Sequence, residues 1–168
     1  MKFSERDCTN LPILVFTGLG GTCPNLSKSV SIKYLKEKLA EHGSTSKLYC
    51  VHFNTSVHGS MESVVKEACD NVTTLSKEVD LKKGFHLIGL SQGGLFARAI
   101  VEDCDIGIYA RKLVTIGTPN NGTAAFPKIL PEFLRGIMDK LTHKNVYSEL
   151  VQNNIVQAGY FKSPDQLE

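Results

Sequence analysis

Phe85-His86-Leu87-Ile88-Gly89-Leu90-Ser91-Gln92-Gly93-Gly94-Leu95-Phe96-Ala97-Arg98-Ala99-Ile100-Val101 is the stretch on which the fold turns. Phe85–Leu90 is an apolar run of strand length, and Leu95–Val101 begins a helical pattern. Between them Gly89-Leu90-Ser91-Gln92-Gly93 fits G-x-S-x-G. Residue frequencies alone give roughly 0.1 chance matches in a chain of this composition, so the pattern by itself is weak. Its setting carries the weight. A nucleophile elbow is a strand-to-helix turn so tight that the Ser takes strained dihedrals, and its neighbours two positions away must lack bulk. Gly89 and Gly93 meet that demand; the alternative is a Gly-rich turn with an incidental Ser.

Outward from this stretch, short β-rich runs alternate with amphipathic ones. Leu11–Phe16 carries no charge and reads as a strand buried on both faces, the habit of parallel sheets. A Gly-rich loop, Thr17–Pro24, follows. Ile32, Leu35 and Leu39 recur at helical spacing, with Gly43 as a stop. Leu48–Phe53 reads as a second strand. Met61, Val64, Val65, Ala68, Val72, Leu75 and Val79 form one long helical stripe, and Leu113–Ile116 reads as a fourth strand. This order, without repeats or a low-complexity linker, implies a single α/β domain over residues 1–168 with a mainly parallel sheet flanked by helices. After Pro119 the texture changes: Asn120-Asn121-Gly122 reads as a turn, and Ile129–Leu141 and Val146–Val156 as short helices. Residues 120–160 are therefore expected to form a helical insertion or lid after the fourth strand.

A Ser hydroxyl becomes a nucleophile when a His takes its proton, and the developing oxyanion needs two backbone N–H donors. One comes from the residue after the nucleophile and one from an early βα loop. Gln92 and Leu19 fill those places, the latter in Thr17-Gly18-Leu19-Gly20-Gly21-Thr22; the alternatives for this loop are a flexible turn or a phosphate cradle. Position 23 is Cys, so the third Gly of G-x-G-x-x-G is missing, and no Lys-Ser/Thr pair closes a P-loop. In α/β-hydrolases the order is Ser, acid, His, and His143 alone lies downstream of Ser91. It reads more readily as a solvated helix-end residue than as a base. His86 reads as structural, and His52 and His58 as substrate contacts at most.

The 168 residues carry 19 Lys and Arg against 17 Asp and Glu, a formal charge of +2. No basic block marks a nucleic-acid surface, and no apolar run reaches membrane-spanning length. Met1–Asp7 is too polar for the apolar core of a signal peptide, so the chain is expected to be cytosolic or to lack its true start. Four sequons, at Asn25, Asn54, Asn71 and Asn121, exceed the one or so that chance predicts from about 9 Asn and 24 Ser or Thr, a mild secretory signal in the opposite sense. The five cysteines lack C-x-x-C spacing, and no metal or organic cofactor is implied.

Gly18-Leu19-Gly20, Gly89-Leu90-Ser91-Gln92-Gly93-Gly94, Arg98, Tyr147-Ser148 through Val151-Gln152, and Val156-Gln157-Ala158-Gly159-Tyr160-Phe161 together resemble the palmitoyl-protein thioesterases, from about Leu11 to Pro164. The Val-Gln-Ala-x-Tyr segment is the most specific part, since generic lipases lack it. The resemblance implies an α/β-hydrolase fold and a lysosomal serine hydrolase that frees long-chain fatty acyl groups from Cys thioesters of proteins or peptides. It matches Ser91 to the nucleophile and Leu19 and Gln92 to the oxyanion-hole donors. It also matches Cys69 and Cys104 to a disulfide tying the helix before the nucleophile strand to the helix after it; two buried free thiols are the alternative in a cytosolic protein. Cys23 lies where family members carry a Cys or Cys pair and, standing single, gives no basis for that bridge. Thr17 replaces a usual His, which alters local hydrogen bonding but leaves the backbone donor in place. Family members continue beyond the point matched by Glu168 and carry the catalytic Asp and His there, so no position here inherits those roles. The expectation is an incomplete fold lacking its C-terminal part. Ile129, Leu130, Phe133, Leu134, Ile137 and Met138 are expected to wall an acyl groove, or to be an internal helix face. A lipase or esterase on oxygen esters, or a non-catalytic acyl-binding relic, are the competing functions.

Overall fold

The computed structural model describes residues 10–53, 58–124 and 146–162. His143 and the stripe Ile129–Met138 lie outside them. The chain divides into two compact units, one of Met1–Thr55 with Val65–Thr118 and one of Ser56–Val64 with Pro119–Glu168.

Among the described residues the first unit is built on four strands, β1 (Ile13–Phe16), β2 (Leu48–Cys50), β3 (Phe85–Leu90) and β4 (Ala110–Ile116), in the order β2-β1-β3-β4. Every pairing is parallel. β1 is therefore central, and all four of its residues are buried, as its uncharged sequence requires. Side chains alternate across the sheet. Ile13, Val15 and Ile88 pack with Ile32, Leu35 and Leu39 of α2 (Val30–Glu41), following the short α1 (Cys23–Lys28). Ser29 starts α2 by accepting a hydrogen bond from Ile32 N–H at 3.1 Å, which satisfies one of the orphan donors of the first turn. Phe16, Phe53 and Phe96 stack in a tilted row with ring centres 5.7 and 4.9 Å apart. Such offset geometry adds to the burial of three large rings.

α3 (Met61–Leu75) and α4 (Gly93–Asp103) follow β2 and β3 in the chain. Val64, Ala68 and Val72 recur on one buried face of α3. The stripe predicted as far as Val79 ends as regular helix at Leu75, after which a tight turn closes with Val79 N–H on Leu75 C=O at 2.9 Å. β4 is the edge strand on the β3 side. Leu113, Val114 and Ile116 are exposed there, on both faces of the strand. An open apolar groove of about 420 Å³ lies beside it, lined by Val30, Tyr34, Leu35, Ile88, Leu90 and Ile116.

In the second unit the buried apolar residues include Val64, Val146, Val151, Val156, Ala158 and Phe161. The expected helix Val146–Val156 is shorter, α5 (Glu149–Asn154), capped by Ser148 and followed by a 3-10 turn over Val156–Tyr160. Gln152 Nε2 donates to Val146 C=O at 2.7 Å and to Ala158 C=O at 3.1 Å, so one amide ties the segments on either side of α5 together. Asn121 Oδ1 accepts from Lys162 Nζ at 2.9 Å. Among the described residues no helix is long and apolar enough to cross a membrane.

Candidate active site

β3 ends at Leu90 and α4 begins at Gly93, leaving Ser91 and Gln92 to make the turn. Ser91 has φ +52, the one left-handed non-glycine residue among those described. A β-carbon residue held there stores about 1–3 kcal/mol, and persists when its surroundings over-determine it. The surroundings here do so. Ser91 N–H donates to Ile116 C=O at 2.8 Å, and Ser91 C=O accepts from Gly94 N–H at 3.0 Å and from the Thr118 hydroxyl at 2.9 Å. A Cβ on Gly89 would run into the Gly94 backbone, and one on Gly93 into the carbonyls of Phe16 and Thr17. These are the close approaches of strand and helix for which the two flanking glycines are needed. The elbow inferred from sequence is thus formed, with Ser91 exposed at its apex.

The loop after β1 comes to the same place because β1 and β3 are parallel neighbours, with Phe16 opposite Gly89. A Cβ added to Gly18 would lie 3.1 Å from Ser91 Cβ and 3.7 Å from its hydroxyl. The loop then turns sharply: Gly21 N–H donates to Gly18 C=O at 2.9 Å, and Gly20 takes φ +69, where glycine is favoured. Thr17 is buried and its hydroxyl donates to Gly21 C=O at 3.1 Å. Thus Thr17, standing where a His is usual in the resembled family, braces the loop. Neither of these turn bonds uses Leu19 N–H. Gln92 is buried at the N-cap of α4, where its carbonyl accepts from Leu95 N–H at 3.0 Å, at the positive end of the helix dipole. Ser91 and Gln92 are consecutive and Leu19 follows the glycine that abuts Ser91, so the three predicted residues are gathered at one end of β1 and β3. Among the described residues, no imidazole hydrogen-bonds the Ser91 hydroxyl.

Two disulfides brace this region. Cys69 of α3 is bridged to Cys104, which caps α4, with Cα atoms 5.7 Å apart, the pairing implied by resemblance. Cys23 is bridged to Cys50 with Cα atoms 5.5 Å apart. This second bridge corrects the expectation for Cys23. Its partner sits at the end of β2, placed beside the β1 loop by the register Val15↔Cys50. Arg98 lies on the exposed side of α4 and pairs with Glu102 at 2.8 Å. Gln157, from the Val-Gln-Ala-x-Tyr segment, is fully buried and hydrogen-bonds Tyr160.

A family model described as palmitoyl protein thioesterase matches residues 12–168. The chain is 28% identical, over 178 aligned positions, to the palmitoyl-protein thioesterase-dolichyl pyrophosphate phosphatase fusion 1 of Schizosaccharomyces pombe; the match covers 100% of this chain and 27% of that protein. It is 27% identical to palmitoyl-protein thioesterase 1 of Caenorhabditis elegans over 94% of this chain and 54% of the relative. The chain therefore spans about half of the nematode protein and about a quarter of the yeast fusion. The RedJ thioesterase from the prodiginine pathway of Streptomyces coelicolor superimposes with a TM-score of 0.44 at 15% identity, covering 92% of this chain and 62% of that one, a likeness too slight to carry an argument.

Proposed function

Because the chain belongs to the palmitoyl protein thioesterase family, we propose that it contributes the nucleophile and oxyanion hole of a serine thioesterase that frees long-chain fatty acyl groups from Cys residues of proteins or peptides. The observation that carries this reading is the strained Ser91 at the apex of the elbow, with Gly18 of the first loop packed against it.

In the reaction, Ser91 Oγ attacks the thioester carbonyl and the carbonyl oxygen becomes an oxyanion held by the N–H groups of Leu19 and Gln92. The C–S bond breaks, the Ser proton passes through a general base to the departing sulfur, and an acyl ester remains on Ser91. Water then attacks that ester, releasing the fatty acid and restoring the hydroxyl. A thiol is more acidic than an alcohol, which makes the first step less demanding for a thioester than for an oxygen ester. The base and its acid partner are not among the residues described.

The two disulfides support folding in an oxidising compartment, and with the four sequons they favour a lysosomal or secretory setting. Comparing kcat/KM for a palmitoyl-Cys peptide with that for the same peptide carrying the palmitoyl group on a Ser hydroxyl tests the substrate class. The thioester is expected to be preferred. Preference for the oxygen ester would assign a lipase or esterase instead, and failure to turn over either, with acyl chains still bound, would assign an acyl-binding role.

A further inference from the structure

We infer that Thr118 is a positioning residue for Ser91: its hydroxyl, donated to the Ser91 carbonyl at 2.9 Å, fixes the peptide plane that keeps the candidate nucleophile in its left-handed conformation. The catalytic meaning rests on the function proposed above; the conformational claim does not.

Three observations single out this hydroxyl. Ser91 φ is +52, and leaving that region for the ordinary helical one rotates the carbonyl away from its present direction. Donors fixed on the carbonyl therefore oppose the change; Gly94 N–H is one of them at 3.0 Å, and the Thr118 hydroxyl is the one that comes from a side chain. Next, the chain is bent to bring Thr118 there. β4 ends at Ile116, whose carbonyl holds Ser91 N–H at 2.8 Å, and Gly117 then takes φ +60 so that the following residue returns over the elbow. Two residues apart on one segment, Ile116 and Thr118 thus hold the two ends of Ser91. Finally, space for the Thr118 side chain is made by Gly94: a Cβ there would meet Thr118 Cβ at 2.8 Å and Cγ2 at 2.7 Å, and would collide with the hydroxyl. The second glycine after Gln92 serves this threonine, a demand separate from the helix–strand approach that Gly93 satisfies.

A structural role in packing alone predicts dependence on shape; positioning predicts dependence on the hydroxyl. Two matched pairs separate these. Thr118 against Thr118→Val exchanges hydroxyl for methyl at constant shape, and Thr118→Ser against Thr118→Ala differs in the hydroxyl with the methyl absent from both. The first readout is NMR of the folded chain. A strong intraresidue NOE between amide and Hα of Ser91 reports positive φ, and it is expected in the parent and the Ser variant and lost in the Val and Ala variants. The second readout is the rate of Ser91 labelling by a fluorophosphonate, expected to fall by about tenfold or more in Val and Ala while the Ser variant stays near the parent, because a misplaced reacting atom costs such factors. Should the Val variant fail to fold, the Ser and Ala pair decides. The inference is overturned if the Val or Ala variant keeps the positive φ, or if the Ser variant loses it. If the parent shows the NOE pattern but takes no label, the proposed function fails while the conformational result stands on its own.

Discussion

Gly18 lies against Ser91: a β-carbon added to Gly18 would sit 3.1 Å from Ser91 Cβ and 3.1 Å from Leu90 C=O. These distances are tight enough that the loop would have to shift by a few tenths of an ångström, carrying Leu19 N–H with it. Full loss of one oxyanion-hole donor costs about 10²–10³ in rate. Gly18→Ala is expected to give a smaller loss, about 10-fold, in the rate of Ser91 modification, with thermal unfolding changed by less than about 1 kcal/mol. Rate and melting temperature measured on the same preparation check this; a large loss of stability with an unaltered rate would mean that the loop packs against the elbow without serving it.

The two disulfides close segments with sequence separations of 27 and 35 residues. Loop closure of that length is worth about 3–4 kcal/mol each in the chain-entropy account. Cys23→Ser and Cys69→Ser are each expected to lower stability by roughly that amount in urea melts under non-reducing conditions. Cys23→Ser should in addition slow Ser91 modification more than Cys69→Ser does, because its bridge anchors the loop that carries Leu19. Equal rates in the two variants would deny the loop that dependence.

Burial pushes the Tyr160 hydroxyl up to about 12 from 10.0, against an opposing hydrogen bond with Gln157. The unfolded chain releases this proton near pH 10 and the folded chain near 12, so above pH 10 the unfolded state binds fewer protons and stability falls as pH rises. Stability from this group is fully present below pH 10 and about 2–3 kcal/mol is lost by pH 12. Tyr160→Phe should flatten that part of the urea-derived stability profile. A profile identical to the parent's between pH 10 and 12 would contradict the assignment.

Local signals carried the elbow: an apolar strand, two glycines at fixed offsets and a helix start are contiguous in sequence, and the steric need for Gly89 and Gly93 is itself local. The burial of β1 on both faces was legible for the same reason, because its run carries no charge. Long-range register was not. Cys23 finds Cys50 because β2 pairs with β1 so that Val15 lies opposite Cys50, a pairing that the spacing of cysteines does not encode. Strand β4 begins at Ala110, three residues before the apolar run, since an edge strand can carry the partly or fully exposed Arg111 and Lys112. The short helix α1 was hidden by Pro24 and by the Gly-rich loop before it; Pro is well suited to a first helical turn. Thr118 left no sequence signal, because its function depends on a bend at Gly117 and on a gap at Gly94, twenty-three positions earlier.

If the elbow and its oxyanion-hole donors act as proposed, they make Ser91 the most reactive serine of the folded chain. Fluorophosphonate treatment of the folded chain, with the modified residue located by mass spectrometry, measures that reactivity. One adduct is expected, on Ser91, absent from Ser91→Ala and from the chain unfolded before treatment. A folded chain with no adduct at Ser91, or equal labelling of Ser91→Ala, would contradict the proposal.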